Sequence, residues 1–480
     1  MTPMTTLAKV HAMLPGSTLV NIGEAESQDL KLSRVGTDSR QVEAGELFIA
    51  LAGERFDAHE YLGDVSRAGA SAALISHAEK CPAALAAVCV SDTRAGLAVL
   101  AKAWREQFTL PLVLVTGSNG KTTVKEMIAA IFTAAVGAQH VLVTAGNLNN
   151  DIGLPLTLLR MRPTDQLAVV ELGMNHPGET ATLAAIANAN IALINNAQRE
   201  HQEFMTTVAA VAQEHSDVLR ALPKDGVAVF PADSEFSDGW HQAAQGRRVI
   251  DFVLLSKAVT KKAAVTGRIL SSGQVEIEAE PGVISVQLKT LGNHNVRNAL
   301  AASAVALAAG IGMQEIKKGL EAFTPVTGRM QVKRLDANQL LIDDSYNANP
   351  DSVRAAIDAL KQSGTLSWLV LGDMGEVGNQ GPEFHDEVGS YAAEQGVERL
   401  FALGEQSEKA VQGFNRMRDV LGLPASAQHF LAIEQLNEAV LDALRMRAEN
   451  SQLMILVKGS RFMRMERVAQ ALLEEAKTCS

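Results

Sequence analysis

Cysteine is scarce in this 480-residue chain, with only Cys81, Cys89 and Cys479. An odd number without metal-ligand spacing argues against both a disulfide framework and a Cys/His zinc site. It fits a reducing compartment, so a cytoplasmic location is expected. No run of about 18 uninterrupted apolar residues occurs, and Lys9 is not followed by an apolar leader core. Neither a membrane span nor a secretory leader is therefore expected. Positive charge is also short, with 43 Lys and Arg against 54 Asp and Glu and a net charge of −11. No long basic run overrides that balance, which disfavours a nucleic-acid partner. A Ser/His/Asp triad, a dinucleotide fingerprint, an internal repeat and a low-complexity tract are absent as well. What remains is an ordinary globular composition, 47% hydrophobic and 20% charged, long enough for about three domains.

The most informative segment is Thr116-Gly117-Ser118-Asn119-Gly120-Lys121-Thr122-Thr123. It follows the apolar run Pro111–Val115, which reads as a buried strand. It precedes Val124, Met127, Ile128, Ile131 and Phe132, which fall on one face at helical spacing. Strand, glycine turn, Lys-Thr and helix together form a phosphate cradle. Glycine lets backbone N–H groups approach phosphate oxygens, and the helix N-terminus adds its positive dipole end. Lys121 is expected to neutralise the β- and γ-phosphates of ATP, and Thr122 to ligate Mg²⁺. The spacing is G-x-x-G-K-T, a short variant in which Val115 stands where the common loop has its first glycine.

Strand-like runs at 112–116, 141–144, 167–171 and 191–195 alternate with helical patterns, which predicts a mostly parallel sheet with helices on both faces. Ligands of such sheets bind at the carboxyl ends of the strands. Residues 247–290 are short, β-rich and alternating, as in Val275-Glu276-Ile277-Glu278, and read as an antiparallel insertion or sheet edge. An alanine-rich helix is expected at roughly 295–309. Residues 323–328 read as a linker. Strands at 339–343, 367–372 and 453–457, with a helix over 352–361, then predict a second α/β layer without a phosphate loop of its own. Short apolar runs at 47–51 and 72–75 suggest a small α/β domain before residue 107.

Several polar clusters fall at strand ends. Glu171 ends the run 167–171 and can reach a metal held by phosphates. Gly146–Gly153 is dense in amides, including Asn147 and Asn150, and suits either a polar substrate or a plain Asx-turn loop. His201 is either a metal or phosphate ligand or an exposed loop residue. Asn295 and Asn298 share a helical face and can read a base edge or cap the helix. Arg329 can pair with a γ-phosphate, and Asp344 can accept from ribose hydroxyls. Lys458-Gly459-Ser460-Arg461 offers two cations and a hydroxyl to an anionic substrate, or is a basic surface turn.

Taken together, these segments resemble the Mur ligase family, ATP-dependent amide-forming enzymes of peptidoglycan synthesis, over nearly the whole chain. The resemblance implies three α/β domains. A UDP-sugar-binding domain would span 1–107, a central P-loop ATPase domain 108–326, and a C-terminal Rossmann-like ligase domain 327–480. It places ATP on Gly117 to Thr123, Asn295, Asn298, Arg329, Asp344 and Asn347. Mg²⁺ falls on Thr122, Glu171 and His201, with Lys121, Glu171 and His201 as the catalytic set. Substrate contacts fall on Ser39, Arg40, Asn147, Asn150, Lys458 and Ser460. Within the family, Ala145–Gly153, Asp344–Pro350, Leu371–Glu376 and Val457–Arg461 resemble the branch that adds D-alanyl-D-alanine to UDP-N-acetylmuramoyl-tripeptide through an acyl phosphate. The Asp-Asn-Pro-Arg motif of the diaminopimelate-adding branch is absent. Folylpolyglutamate synthase, a same-fold alternative, lacks the UDP-sugar domain, and a non-catalytic nucleotide switch is the remaining rival. Many members carry a lysine, often carbamoylated, some fourteen residues after the histidine. Here the stretch is Gln213-Glu214-His215-Ser216-Asp217, so Glu214 is a candidate for the missing charge, or the second metal is held differently. Nothing demands more than a monomer.

Overall fold

The computed structural model describes residues 3–53, 56–200, 202–362, 364–447 and 452–478. Its strands gather into three principal sheets. The first contains β1 (Thr18–Val20), β2 (Arg34–Gly36), β3 (Glu46–Ile49), β4 (Ala72–Ile75) and β5 (Ala86–Cys89), in the order β1-β5-β4-β3-β2. Only β1 runs antiparallel to its neighbour.

The second sheet holds β6 (Leu112–Thr116), β7 (Val141–Val143), β8 (Leu167–Glu171), β9 (Ile191–Ile194), β10 (Val227–Pro231), β11 (Arg248–Leu254), β12 (Val265–Ile269), β13 (Val275–Ala279) and β14 (Gly282–Val286). Its order is β7-β8-β6-β9-β10-β11-β12-β13-β14. Every residue of β6, β8 and β10 is buried, as a parallel strand covered on both faces requires. The edge reads differently from the sequence expectation. β11 and β12 continue the parallel register, and only β12–β13–β14 are antiparallel. In β13, Val275 and Ile277 face the core while Glu278 faces out, the period-two pattern of a half-solvated sheet.

Helix α1 (Lys121–Val136) packs on this sheet through Met127, Ile128, Ile131 and Phe132, all fully buried. Each such side chain contributes roughly 1.5–3 kcal/mol by leaving water. Helices α2 (Asn293–Ala308) and α3 (Met313–Ala322) lie against α1. α3 comes so close at Gly319 that a Cβ there would stand 2.3 Å from the Ile131 Cα, so only glycine fits. Residues 323–326 then run without regular structure into a turn at 327–328.

The third sheet comprises β15 (Gln331–Arg334), β16 (Gln339–Asp344), β17 (Leu366–Gly372), β18 (Arg399–Leu403), β19 (Ala427–Phe430) and β20 (Leu453–Lys458), ordered β15-β16-β20-β17-β18-β19. It is parallel except for β15. Helix α4 (Pro350–Gln362) begins at the proline, whose missing N–H costs nothing in a first turn. No helix among the described residues is long and apolar enough to cross a membrane.

Candidate active site

Three parallel strands, β8, β6 and β9, end side by side, with Val115 opposite Glu171 and Thr116 opposite Ile194. Their following loops therefore emerge together at the carboxyl edge, where ligands of such sheets bind. The β6–α1 loop is built by close approach. Gly117 adopts φ +134° and Gly120 φ +78°. A Cβ at Gly120 would meet the Asn298 Oδ1 at 2.7 Å, and one at Gly117 the Asn196 backbone nitrogen at 3.0 Å. Amides brace the loop from outside. Asn119 N–H donates to Asn196 Oδ1 (2.8 Å), and Asn195 Nδ2 donates both to the Asn119 carbonyl (2.8 Å) and to Asn298 Oδ1 (2.9 Å). Asn298 Nδ2 donates in turn to Asn295 Oδ1 (3.1 Å). Asn195, Asn295 and Asn298 form a buried ladder behind the loop, and Asn295 and Asn298 also line the cavity in front of it.

The cavity encloses about 570 Å³ between the second and third sheets. Ser118 to Thr123 line one side, with Glu171, Asn149 and Asn150; Arg329, Asp344, Asn347 and Lys458 line the other. Lys121 folds back over its own loop, its Nζ donating to the Gly117 carbonyl at 2.5 Å and lying 3.4 Å from Glu200 Oε2. Glu171 is buried. Its Oε1 accepts from Asn149 Nδ2 (2.7 Å), while its Oε2 has no partner among the described residues. The strand end that carries it is pinned. The Glu171 N–H donates to Thr144 Oγ1 (2.9 Å), and the Thr144 carbonyl accepts from the fully buried Lys125 Nζ on α1 (2.9 Å).

The opposite wall is held by ion pairs. Lys458 Nζ donates to Asp344 Oδ2 (2.6 Å) and to the Asn347 carbonyl (2.9 Å) at 3% exposure. Ser460, also buried, links Gly375 N–H (2.7 Å) to the Ala348 carbonyl (3.0 Å) and does not line the cavity. The expected pair of cations and a hydroxyl for an anionic substrate is thus divided: Lys458 and Ser460 brace the wall, and only Arg461 is exposed. Arg329 stands with its guanidinium 4.1 Å from the Tyr346 ring centroid, presenting a cation to the cavity.

The two walls meet. Asn119 and Asn349 exchange amide hydrogen bonds (2.9 and 3.3 Å). Arg199 binds Asp351 (2.6 Å) and Glu387 (2.8 Å) across the cleft. Those two hydrogen-bonded carboxylates outweigh desolvation and hold the Arg199 guanidinium strongly in its charged form.

The remaining sequence candidates lie elsewhere. Asn150 Oδ1 accepts from Gly153 N–H (2.9 Å) and so makes an Asx cap, although the residue still borders the cavity. Asn147 is exposed and outside it. Ser39 and Arg40 lie beyond β2 in the N-terminal sheet's loops, where Arg40 pairs with Asp38 (2.9 Å). His201 lies outside the described residues. Glu214 is not available as a substitute charge. Its carboxylate accepts from the Gly178 N–H (3.0 Å) and the Thr180 N–H (2.9 Å), capping helix Glu179–Ala187. Successive helical residues point about 100° apart, so its neighbour His215 faces the phosphate loop instead. That buried ring bridges Thr116 Oγ1 (3.0 Å) and Glu200 Oε1 (2.9 Å). Composition and spacing gave no sign of Glu200 or His215 as site residues, because their partners are distant in sequence, whereas Asn149 belongs to the amide cluster 146–153 and is the one of its asparagines that binds Glu171.

A phosphate loop facing a second α/β domain across a polar, ion-bridged cleft defines a P-loop nucleotide enzyme whose site is shared between domains. Family models agree in order along the chain: the Mur ligase family catalytic domain over 31–107, the Mur ligase middle domain over 115–306 and the Mur ligase glutamate ligase domain over 328–461. The chain belongs to the Mur ligase family. It is 37% identical over 459 residues to the UDP-N-acetylmuramoyl-tripeptide–D-alanyl-D-alanine ligase of Escherichia coli K12, covering 95% of this chain and 97% of that one. The Bacillus subtilis ligase of the same name is 31% identical, with 98% of both chains covered. A crystal structure of MurF from Acinetobacter baumannii superposes with a TM-score of 0.86 at 32% identity, covering 98% of this chain and 99% of that one.

Proposed function

We propose that this chain joins D-alanyl-D-alanine to UDP-N-acetylmuramoyl-tripeptide at the expense of ATP, giving the pentapeptide, ADP and phosphate. The reading rests on relatives of that name matching 95% or more of their length and on one structural observation. Among the described residues, the buried Glu171 Oε2 has no hydrogen-bond partner at the edge of the phosphate loop. A buried carboxylate oxygen without a donor is costly, and a cation is the partner that removes the cost.

Magnesium suits these residues. Among the described residues no group of three acid, His or Cys side chains forms a ready cage. Mg²⁺ characteristically takes one or two protein ligands and completes its shell with phosphates and water. Thr122 and Glu171 would hold it, with His201 the third expected ligand. When bound it would withdraw charge from the phosphate oxygens.

A carboxylate is a poor electrophile, because its charge is delocalised and its leaving group would be oxide. In the reaction, a tripeptide carboxylate oxygen attacks the γ-phosphorus, and the bond from phosphorus to the β,γ-bridging oxygen breaks. The products of this step are ADP and an acyl phosphate. Catalysis of this step is mainly positioning and charge neutralisation. Lys121 supplies charge from the loop and Arg329 from the opposite wall. The dipeptide's neutral amine then adds to the acyl carbon, the bond from that carbon to the phosphate oxygen breaks as the amide forms, and the proton lost by nitrogen ends on the released phosphate. Asp344 and Asn347, on the wall opposite the phosphate loop, would take the ribose hydroxyls, and Ser39 and Arg40, in a loop of the N-terminal sheet, the UDP end. One chain contributes both walls, in keeping with a monomer working in the cytoplasm.

The test is phosphate release from ATP with UDP-N-acetylmuramoyl-tripeptide, with and without D-alanyl-D-alanine. Release that needs both, with the pentapeptide found by mass spectrometry, is the expected result. No release with either the diaminopimelate or the lysine tripeptide would overturn the substrate assignment.

A further inference from the structure

Glu200 and His215 have no part in the chemistry above, yet they are buried against the phosphate loop. His215 is fully buried and Glu200 is 6% exposed. A continuous chain runs from Thr116 Oγ1 to His215 Nδ1 (3.0 Å), from His215 Nε2 to Glu200 Oε1 (2.9 Å), and from Glu200 Oε2 to Lys121 Nζ (3.4 Å). An ionised carboxylate can only accept, so Nε2–H donates to Glu200, and in the neutral ring Nδ1 then accepts from the Thr116 hydroxyl. The ring is thereby fixed at both ends. Thr116 is the last residue of β6, so the anchor of this chain is the strand that launches the loop.

Lys121 is the group that meets the β- and γ-phosphates in such loops. In this structure its counter-charge is a carboxylate from the β9 loop, held at 3.4 Å. We propose that Glu200 is a built-in stand-in for the terminal phosphates and that His215 is the positioning residue that aims it. Nucleotide binding then exchanges one anion for another on Lys121, and Glu200 swings off while still tied to His215. The exchange keeps a partly buried lysine neutralised before the substrate arrives, at the expense of some nucleotide affinity. His215 stands fourteen residues after His201, the place where many members of this family carry a lysine. The inference rests on the ATP reading above but on none of its peptide substrates.

Calorimetric binding of ADP and of AMP to the whole chain, without peptide or dipeptide, tests it. Glu200→Gln keeps the acceptor for His215 and removes the competing charge. It should tighten ADP binding about fivefold, the weight of one partly exposed ion pair. AMP, which lacks the β-phosphate, should bind unchanged. His215→Asn should also tighten ADP, and the double variant should do no more than Glu200→Gln alone, because the two residues act as a unit. Thr116→Val, which removes only the ring's other partner, serves in its place if His215→Asn does not fold. ADP binding that is unchanged or weaker in Glu200→Gln overturns the stand-in. Additive effects of the two substitutions overturn the positioning role. A wild-type chain that binds neither nucleotide overturns the ATP reading itself, and this inference with it.

Discussion

Two lysines, each beside a strand's carboxyl end, face the same cavity from opposite domains, and their surroundings set them apart. Lys121 rests on two carbonyls of its own loop and a long contact to Glu200. Lys458 is 3% exposed and locked to Asp344 at 2.6 Å, with a second bond to the Asn347 carbonyl. The first set of partners can be exchanged for phosphate at little cost. The second cannot, because withdrawing Lys458 would leave the half-buried Asp344 carboxylate without its counter-charge. Sequence motifs gave both residues to anionic ligands. The geometry leaves Lys121 on exchangeable partners at the phosphate loop and ties Lys458 to Asp344, so on our proposal Lys121 meets the phosphates and Lys458 holds Asp344 in place.

Substitutions sharpen that contrast. Lys121→Ala should cut substrate-dependent phosphate release by about a thousandfold, the scale of removing a donor from a transition-state charge site, while the thermal midpoint stays near that of the wild type. Lys458→Met should do the reverse in emphasis, costing about 3 kcal/mol of stability in urea titrations by stranding Asp344. Adding Asp344→Asn to it should restore much of that loss. A Lys458 variant that is fully stable but inactive would make it a ligand after all. Glu171→Gln is expected to raise the Mg²⁺ concentration for half-maximal turnover by about tenfold or more, with the fold retained. An unchanged metal requirement would remove Glu171 from the metal site.

The smallest effect concerns the bridge between the walls. Arg199→Ala should loosen the cleft by about 1 kcal/mol, allowing for solvent screening of a partly exposed network. It should be visible as a larger radius of gyration in small-angle scattering. The Arg199 hydrogen bond holds the Glu387 carboxyl below its ordinary value of 4.5. The Glu387 arm of the bridge is therefore fully formed above that value and is lost only as pH falls through the lowered one, while Asp351 remains the other arm. Acidification should expand the wild type but not the Arg199 variant, and equal expansion in both would place the acid-sensitive contact elsewhere.

Much of this architecture was legible from pattern alone. The phosphate loop and the strand ending at Glu171 coincide with elements in the structure, because buried parallel strands are continuous apolar runs that punctuated turns delimit. The strand Arg248–Leu254 was harder. Its mixed composition suggests an edge, yet it pairs in parallel on both sides. Within the site, local motifs were readable and long-range partnerships were not. Glu214 and His215 are adjacent in sequence, and only the helix phase decides that one caps a neighbouring helix while the other reaches the loop. Lys125, a lysine in an otherwise apolar helix face, is fully buried because a strand-end carbonyl and Glu126 receive its ammonium group.

The central claim is that the site activates a carboxylate by phosphoryl transfer, and an isotope measurement tests it most directly. The tripeptide's terminal carboxylate would be labelled with ¹⁸O and turned over with ATP and D-alanyl-D-alanine. One labelled oxygen recovered in the released phosphate, as the acyl phosphate requires, is the expected result. Phosphate free of label, with all of the ¹⁸O retained in the peptide product, would contradict the account.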